Sequence, residues 1–445
     1  MTEKHIVLVV LAILLFDPVR NNLWAFLKRF GLPITAVGLG VWLFILLPAT
    51  MKLILVLGAA VVFRTKLMSA LSLGYHGIVG YFTSPIFLKR AKKFKTMKRG
   101  YYSFVIIVSL YVLSFGLPLM VTNQALVVKY ENSYYFPAVK GFFNYYFSRI
   151  INPVLDIQWD YYEKDFGGDS SSPVNFRKLQ ERFKDSKENW VVMSLYPYSP
   201  NESNMEEYDK NPPNSPDLKH WLGTDDRGRD VLARLFYGFN ISLSFALIVC
   251  VLAYIVGITV GGYLGYYGGW FDIVVQRIVE LWSAVPFLYT VMIVVSIMDQ
   301  SSMLLLICLL ASFGWMAMTY YIRGEFLREK AKDYVSAAIS IGVKDHVIIF
   351  RHILPNALTP VISFLPFTIV AQISSLVSLD FLGFGLPAPT PSWGELMHQA
   401  LGLVRVAPWL AFAPMCALFL TLLLVSFVGE AVREAFDPKQ YSRLR

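Results

Sequence analysis

Apolar residues run in long blocks along this chain, and the length of each block limits what it can become. Six blocks, at 101–121 and roughly at 239–266, 272–298, 303–322, 358–379 and 408–429, approach the span of about 20 residues that crosses a bilayer. Ahead of them, residues 34–63 are apolar enough for one tilted span or for two short limbs turning near Pro48. Residues 6–16 form an 11-residue apolar core like that of a secretory signal. Asp17, Pro18 and Arg20 stand where small cleavage-site residues belong, so this segment is read as retained.

Composition agrees with the pattern. The 445 residues are 56% hydrophobic and 16% charged, with mean hydropathy +0.50, which excludes an ordinary soluble enzyme. The net charge of +9 fits basic cytoplasmic loops better than nucleic acid, because the charge is local. Residues 89–99 hold seven Lys and Arg and no acid directly before the first of the six blocks, which marks the cytoplasmic side. From 123 to 219 the balance reverses to 14 acids against 11 bases, as suits an extracytoplasmic insertion. Six crossings then return the chain to the cytoplasm, and residues 323–357, with six Lys and Arg against four acids, fall on that side.

The expected fold is therefore an all-α polytopic membrane protein: a six-span core, extra N-terminal hydrophobic segments and an extracytoplasmic insertion. Residues 1–96 make the extra membrane region and basic loop, 97–122 the first core span, 123–238 the insertion, 239–437 the remaining five spans, and 438–445 a cytoplasmic tail. Thirteen aromatics between 130 and 166 suffice for a small packed module or one resting on the membrane interface. Residues 199–216, rich in Pro and Asn, read as an extended linker.

Three segments carry more than hydrophobicity. Residues 333–355 are too charged for lipid and predict two short helices. Ala337, Ala338 and Ile341 give the first a small face, Gly342 supplies a left-handed turn, and Leu354 and Pro355 stop or kink the second. Residues 220–238 predict an amphipathic helix flat on the outer surface, capped by Thr224 or Asp226 and closed by Gly238, with Arg227, Arg229 and Arg234 on its polar side. Residues 378–396, with Gly383, Gly385, Pro387, Pro389 and Pro391, predict an irregular connection at the end of a span.

SAAISIGVKDHVIIFRHILP, residues 336–355, resembles the EAA loop of type I ABC importer permeases, with Gly342 four residues after Ala338 and Leu354–Pro355 closing it. Ser336 stands where that family usually has Glu, which removes any charge contact there. HWLGTDDRGRDVLARLFYGFNISL, SLDFLGFGLPAPTPSWGEL and GEAVREAFDP are similar to the oligopeptide and dipeptide branch, and together with the insertion most resemble the Yej-type permeases of microcin C and oligopeptide importers. The resemblance covers about residues 97–438. It implies a permease subunit that moves short peptides or peptide-like compounds across the cytoplasmic membrane. The implied partners are a homologous permease, two ABC ATPase subunits or domains, an extracytoplasmic peptide-binding protein and membrane lipid, with no nucleic acid. It also implies an ATPase-coupling loop of Ser336, Ala337, Ala338, Gly342, His352, Leu354 and Pro355, and Arg227, Arg229 and Arg234 near the docked binding protein.

Other residues stay open at this level. Gly257, Gly261 and Gly265 lie on one helix face, for packing within the chain or against the partner permease. Arg277 and Glu280, one turn apart, are candidates for the translocation path or for a structural ion pair. Cys250, Cys308 and Cys416 read as small buried hydrophobes. The sequence holds no GxxxxGK[ST], HExxH or GxSxG, and its six His are scattered, so no cofactor or metal is expected on this chain; ATP and Mg²⁺ fall to the partner subunits. An ion-coupled secondary transporter would show an internal repeat with coupling carboxylates, and a simple membrane anchor would need no coupling loop.

Overall fold

In hydrocarbon, a helix satisfies every backbone N–H and C=O within its own segment, so apolar runs of span length become helices. The computed structural model describes residues 85–155, 160–208, 210–298 and 302–436. The apolar runs at 6–16 and 34–63 and the tail at 438–445 lie outside these described residues. The chain divides into two compact units. The smaller includes Gly262–Ile278 and Arg323–Ala357; the larger includes Ser84–Gly261, Val279–Ile322 and Leu358–Arg445.

In chain order the elements are α1 (Pro85–Thr96), α2 (Lys98–Ser114), the single turn α3 (Leu117–Met120), β1 (Ala125–Tyr130), β2 (Ser133–Tyr135), α4 (Pro137–Leu155), α5 (Phe176–Arg182) and β3 (Trp190–Met193). There follow α6 (Val231–Tyr267), α7 (Gly269–Ser283), α8 (Phe287–Ile297) and α9 (Met303–Lys330). Next come α10 (Asp333–Ser340), α11 (Asp345–Val347), a π turn (Ile348–Ile353) and α12 (Leu354–Ala357). The last are α13 (Thr359–Phe381), α14 (Trp393–Leu403) and α15 (Trp409–Phe436).

Helices α6, α9, α13 and α15 are each long and apolar enough to cross a membrane. The pair α7 and α8, bent by 69° where Pro286 interrupts the ladder, makes a fifth crossing if counted as one. The 17-residue α2, about 26 Å long and opening on Lys98 and Arg99, is shorter than these, so the described residues supply four or five of the six expected crossings at full length, with α2 in the place of the first.

In the larger unit the core gathers around Trp393, which is buried and donates its indole N–H to the Leu235 carbonyl (3.0 Å). Val231, Leu235, Ile373, Val377, Leu396 and Leu410 close around it. Gly238 does not end a helix as expected: it lies within α6, and a Cβ there would come within 2.8 Å of the Trp393 ring. The connection 382–392 is irregular, as its Gly and Pro residues dictate. It is held by Asp380, which accepts the Leu386 N–H (2.6 Å) and the Ser392 hydroxyl. Cys250 is buried, whereas Cys308 and Cys416 are exposed on the chain surface. A span is apolar on its lipid-facing and buried sides alike, so hydrophobicity does not separate the three.

The insertion contains a three-stranded antiparallel sheet of order β2-β1-β3. Glu131 and Asn132, both at positive φ, make the two-residue turn between β1 and β2. Val128 and Val191 of the sheet cluster with Phe166, Phe176, Leu179 and Phe183, so the aromatic segment does contribute to a core. The stretch 199–216 is not a free linker. Arg177 donates to Glu202 Oε1 and Oε2 (3.0 Å each), to the Pro197 carbonyl (2.7 Å) and to Asn204 Oδ1 (3.0 Å), and pairs with Glu207 (2.9 Å). Burial opposes the charge on Arg177, but the Glu202 bond and field, with Glu207, hold its pKa above the ordinary arginine value. Arg177→Met should therefore cost about 2–3 kcal/mol locally, since charge-assisted bonds of this kind are lost together. Limited proteolysis of the intact chain is expected to cut within 199–208 much faster in the variant.

Candidate functional site

The loop between α9 and α13 lies within the smaller unit and is built from its flanks inward. An acid in the last turn of a helix opposes the helix dipole, so Glu329 near the end of α9 needs partners. Lys332 Nζ (2.7 Å) and the Tyr334 hydroxyl (3.0 Å) supply them, and Glu329 is buried. Asn356 donates to the same Tyr334 hydroxyl (3.3 Å) and to the His352 carbonyl (3.1 Å). Burial pushes the Tyr334 phenol up to about 12, against the Asn356 bond and with Glu329 adding to it, so it keeps its proton at neutral pH. Tyr334 thus clasps the two ends of the loop together.

Between those ends, α10 stops at Gly342, whose φ of +78° is the left-handed turn expected of it. A Cβ at Gly342 would meet nothing within 4 Å, so only the backbone conformation demands glycine. Ser336, Ala337, Ile339 and Ile341 are exposed, Ile341 at 79%. Ala338 is instead buried at 7%, so the small face expected to include Ala337, Ala338 and Ile341 is split: on a helix, adjacent residues 337 and 338 point about 100° apart. Tyr266 donates to Asp345 Oδ1 (2.7 Å), fixing the start of α11. The second helix then widens into the π turn, where Leu354 N–H bonds the Ile349 carbonyl. Leu354 is buried, Pro355 and His352 are partly buried, and the chain bends through Leu358 into α13.

At the head of α6, in the larger unit, the structure corrects the expected surface helix. Residues 220–230 form turns, and one continuous 37-residue helix begins at Val231. Its cap is Asp230, which accepts the Ala233 N–H (2.7 Å), the Tyr196 hydroxyl (2.7 Å) and a His220 Nδ1 contact (2.6 Å). Of the three arginines, Arg227 alone is exposed. Arg229 and Arg234 are buried at 4% and 0%, not displayed for a partner. Arg229 Nε donates to Asp225 Oδ2 (2.7 Å) and its second nitrogen to Glu395 Oε1 (3.0 Å). Arg234 bonds Glu395 Oε2 and the Pro200 carbonyl (2.9 Å), with Asp225 Oδ2 at 3.8 Å from its Nε. Burial works against the Arg229 charge, but Asp225 and Glu395 hold its pKa above the usual value. The acid that draws these arginines inward, Glu395, lies more than 160 residues away in sequence, beyond the reach of local periodicity.

The remaining candidates fall on separate ground. Arg277 belongs to the smaller unit and is exposed; Glu280 belongs to the larger and is partly buried, its carbonyl accepting the Ser283 hydroxyl (2.8 Å). In the larger unit a Cβ on Gly257 would lie 2.6 Å from the Trp315 carbonyl, and one on Gly261 2.5 Å from that of Thr319, so α6 and α9 meet backbone to backbone. In the smaller unit Gly265 meets Arg323 O and Phe326 at similar range. The glycine face is thus used within the chain.

Comparison with known proteins bears on what these features serve. Residues 257–441 match the family described as binding-protein-dependent transport system inner membrane component. The chain is 37% identical over 359 residues to the inner membrane ABC transporter permease protein YejE of Escherichia coli K12, covering 80% of this chain and 98% of that protein. It is 34% identical to the peptidoglycan transport system permease protein YejE of Agrobacterium fabrum, over 81% of this chain and 95% of the other. The glutathione transport system permease protein GsiD of Pectobacterium atrosepticum is 36% identical over 50% of this chain and 74% of its own length.

Proposed function

Because the chain belongs to the family of binding-protein-dependent transport system inner membrane components, as a permease subunit of an ABC importer and not itself an enzyme, we propose that its cargo is a short peptide or peptide-like compound. The kinship carries this reading: the two relatives of high coverage are YejE permeases, one of them named for peptidoglycan transport, and a third is named for glutathione, both peptide-containing. The protein is a multi-pass component of the cytoplasmic membrane and works with ATPase and substrate-binding partners. A homologous second permease and two ATPase subunits or domains, which use the ATP and Mg²⁺, complete the proposed assembly. The insertion faces the extracytoplasmic side, where exposed Arg227 is the one arginine of the three left available to a docked binding protein.

The loop 333–355 is the proposed point of ATPase contact. Its support is the exposed end of the first helix, at Ile339 with Ile341 just beyond it, held on a folded base by the Tyr334 clasp. ATP-driven closure of the ATPases would push on this rigid piece and bias the permease between two facing states. Gly342→Val tests the assignment. A β-branched residue at φ +78° costs about 1–3 kcal/mol of backbone strain while clashing with nothing, so the loop should shift without loss of the spans. The expected result in proteoliposomes of the whole complex is normal assembly, loss of peptide uptake and loss of substrate-stimulated ATP hydrolysis. Gly342→Asn, which tolerates the left-handed region, should recover much of both. Uptake by the valine variant at the unmutated rate in an assembled complex would refute the coupling role.

Orientation has its own test. In a chain with Cys250, Cys308 and Cys416 replaced, cysteines at Ser172 and Ser203 should react with an impermeant maleimide on intact spheroplasts, and one at Ser340 should react only after permeabilisation. The reverse pattern would invert the assignment of both faces.

A further inference from the structure

Helix α4 presents two unlike sides. Pro137 and Ala138 are buried, and Gly141 packs so closely on Gln124 that a Cβ would fall 2.0 Å from its side-chain oxygen. Further along the helix Tyr145 packs on Tyr237 with ring centroids 5.8 Å apart while staying half exposed. On the other side Phe136 is 50% exposed, Val139 41% and Phe143 45%, a stripe at the i, i+3, i+7 spacing of one helical face. Lys140, next to the stripe, turns its ammonium onto the Tyr161 ring (4.2 Å) instead of covering it. Aromatic and branched residues so arranged on a water-facing helix would lose about 25 cal/mol for every Å² left in contact with water.

What stands against this stripe follows from where α4 is tied. The Tyr146 hydroxyl donates to the Phe115 carbonyl (3.0 Å), and Tyr146 packs on the Phe115 ring, at the residue that ends α2. Just before that end, Val112 and Leu113 are 64% and 59% exposed, the apolar surface a membrane-crossing helix offers to lipid. The apolar surface therefore runs from the end of α2 through Phe115 and Tyr146 to α4. We infer that α4 lies along the bilayer interface with Phe136, Val139 and Phe143 seated at the boundary of headgroups and acyl chains, so that lipid, not a protein partner, covers this face of the insertion. Tyrosine hydroxyls at the rim and apolar rings below match the chemistry of that boundary. The insertion is then anchored to the membrane at a second place besides the spans that flank it, whichever side of the membrane it occupies.

The test uses the whole complex in phospholipid nanodiscs, with the three native cysteines replaced and a nitroxide on Val139→Cys. Collision with oxygen and with a water-soluble nickel chelate reads its depth, against phospholipids labelled at the headgroup and along the chain as the ruler. The oxygen-to-nickel ratio at 139 should fall between the headgroup and mid-chain labels and several-fold above that of a label at Ser172→Cys in the same insertion. A ratio equal to that at Ser172 would overturn the inference, as would a label shielded from both reagents, which would mean that protein covers the stripe. Phe136→Cys provides the same reading should Val139→Cys fail to assemble.

Discussion

Membranes carrying Glu395→Ala are expected to hold little folded permease, with the surviving fraction unfolding at a markedly lower temperature in mild detergent. Glu395 is the acid shared by two arginines that are themselves buried at 4% and 0%. Without it Arg234 keeps one carboxylate at 3.8 Å and backbone carbonyls, too few for a charge wholly withdrawn from water. Removing one partner of a buried pair costs about 3–5 kcal/mol, a large part of the stability of any domain. The double variant Glu395→Ala with Arg234→Met removes the stranded charge along with its partner and should be the more stable of the two. Equal melting of the single variant and the unmutated protein would show that the network contributes nothing.

Gly261→Leu should be nearly as damaging, for a steric reason. Its first side-chain atom would sit 2.5 Å from the Thr319 carbonyl and 3.1 Å from the Ile322 Cβ, so a backbone and not a flexible tip stands in the way. The helices must separate, which also breaks the Thr319 hydroxyl bond to the Gly257 carbonyl (3.3 Å). Overpacking of this kind costs about 1–3 kcal/mol or more. Gly324, in α9 with nothing within 4 Å of its would-be Cβ, is the control. Gly324→Ala should raise stability by about 0.5–1 kcal/mol through helix propensity alone. Thermal unfolding of the three proteins in one detergent decides it, and an unchanged melting temperature for Gly261→Leu would contradict the close approach.

Which features could be read in advance depends on how far apart their causes lie in the chain. Gly342 was legible because its cause is local: a left-handed turn between two helical patterns requires it. The apolar passages were legible because lipid imposes one length on all of them, and the irregular connection 382–392 because Gly and Pro forbid a helix. Arg229 and Arg234 were not legible. Their spacing with Val231, Leu232 and Leu235 is that of an amphipathic helix, and only the fold brings Glu395 to them. Ala338 looked equivalent to Ala337 because both are small, and the rotation of one residue separates them. The Tyr334 clasp had a local hint in Glu329, an acid at the wrong end of a helix, but its second arm, Asn356, arrives only when the loop closes.

The charge pairing inside the insertion has a consequence for how such permeases can be recombined. Arg177 finds Glu202, Glu207, Asn204 and Pro197 all within 30 residues of itself, so a segment exchanged as a block carries its own electrostatic partners. Arg229 and Arg234 depend on Glu395 from the far part of the chain, so an exchange reaching that far must import a matching acid as well. A chimaera joined before residue 220 divides the protein where few charges are shared, whereas one joined after Arg234 combines two halves that were never selected to neutralise each other. Substitution is constrained in the same way: a change at position 225, 229, 234 or 395 strands a buried charge unless a partner changes with it, a limit that exposed positions of the insertion do not share.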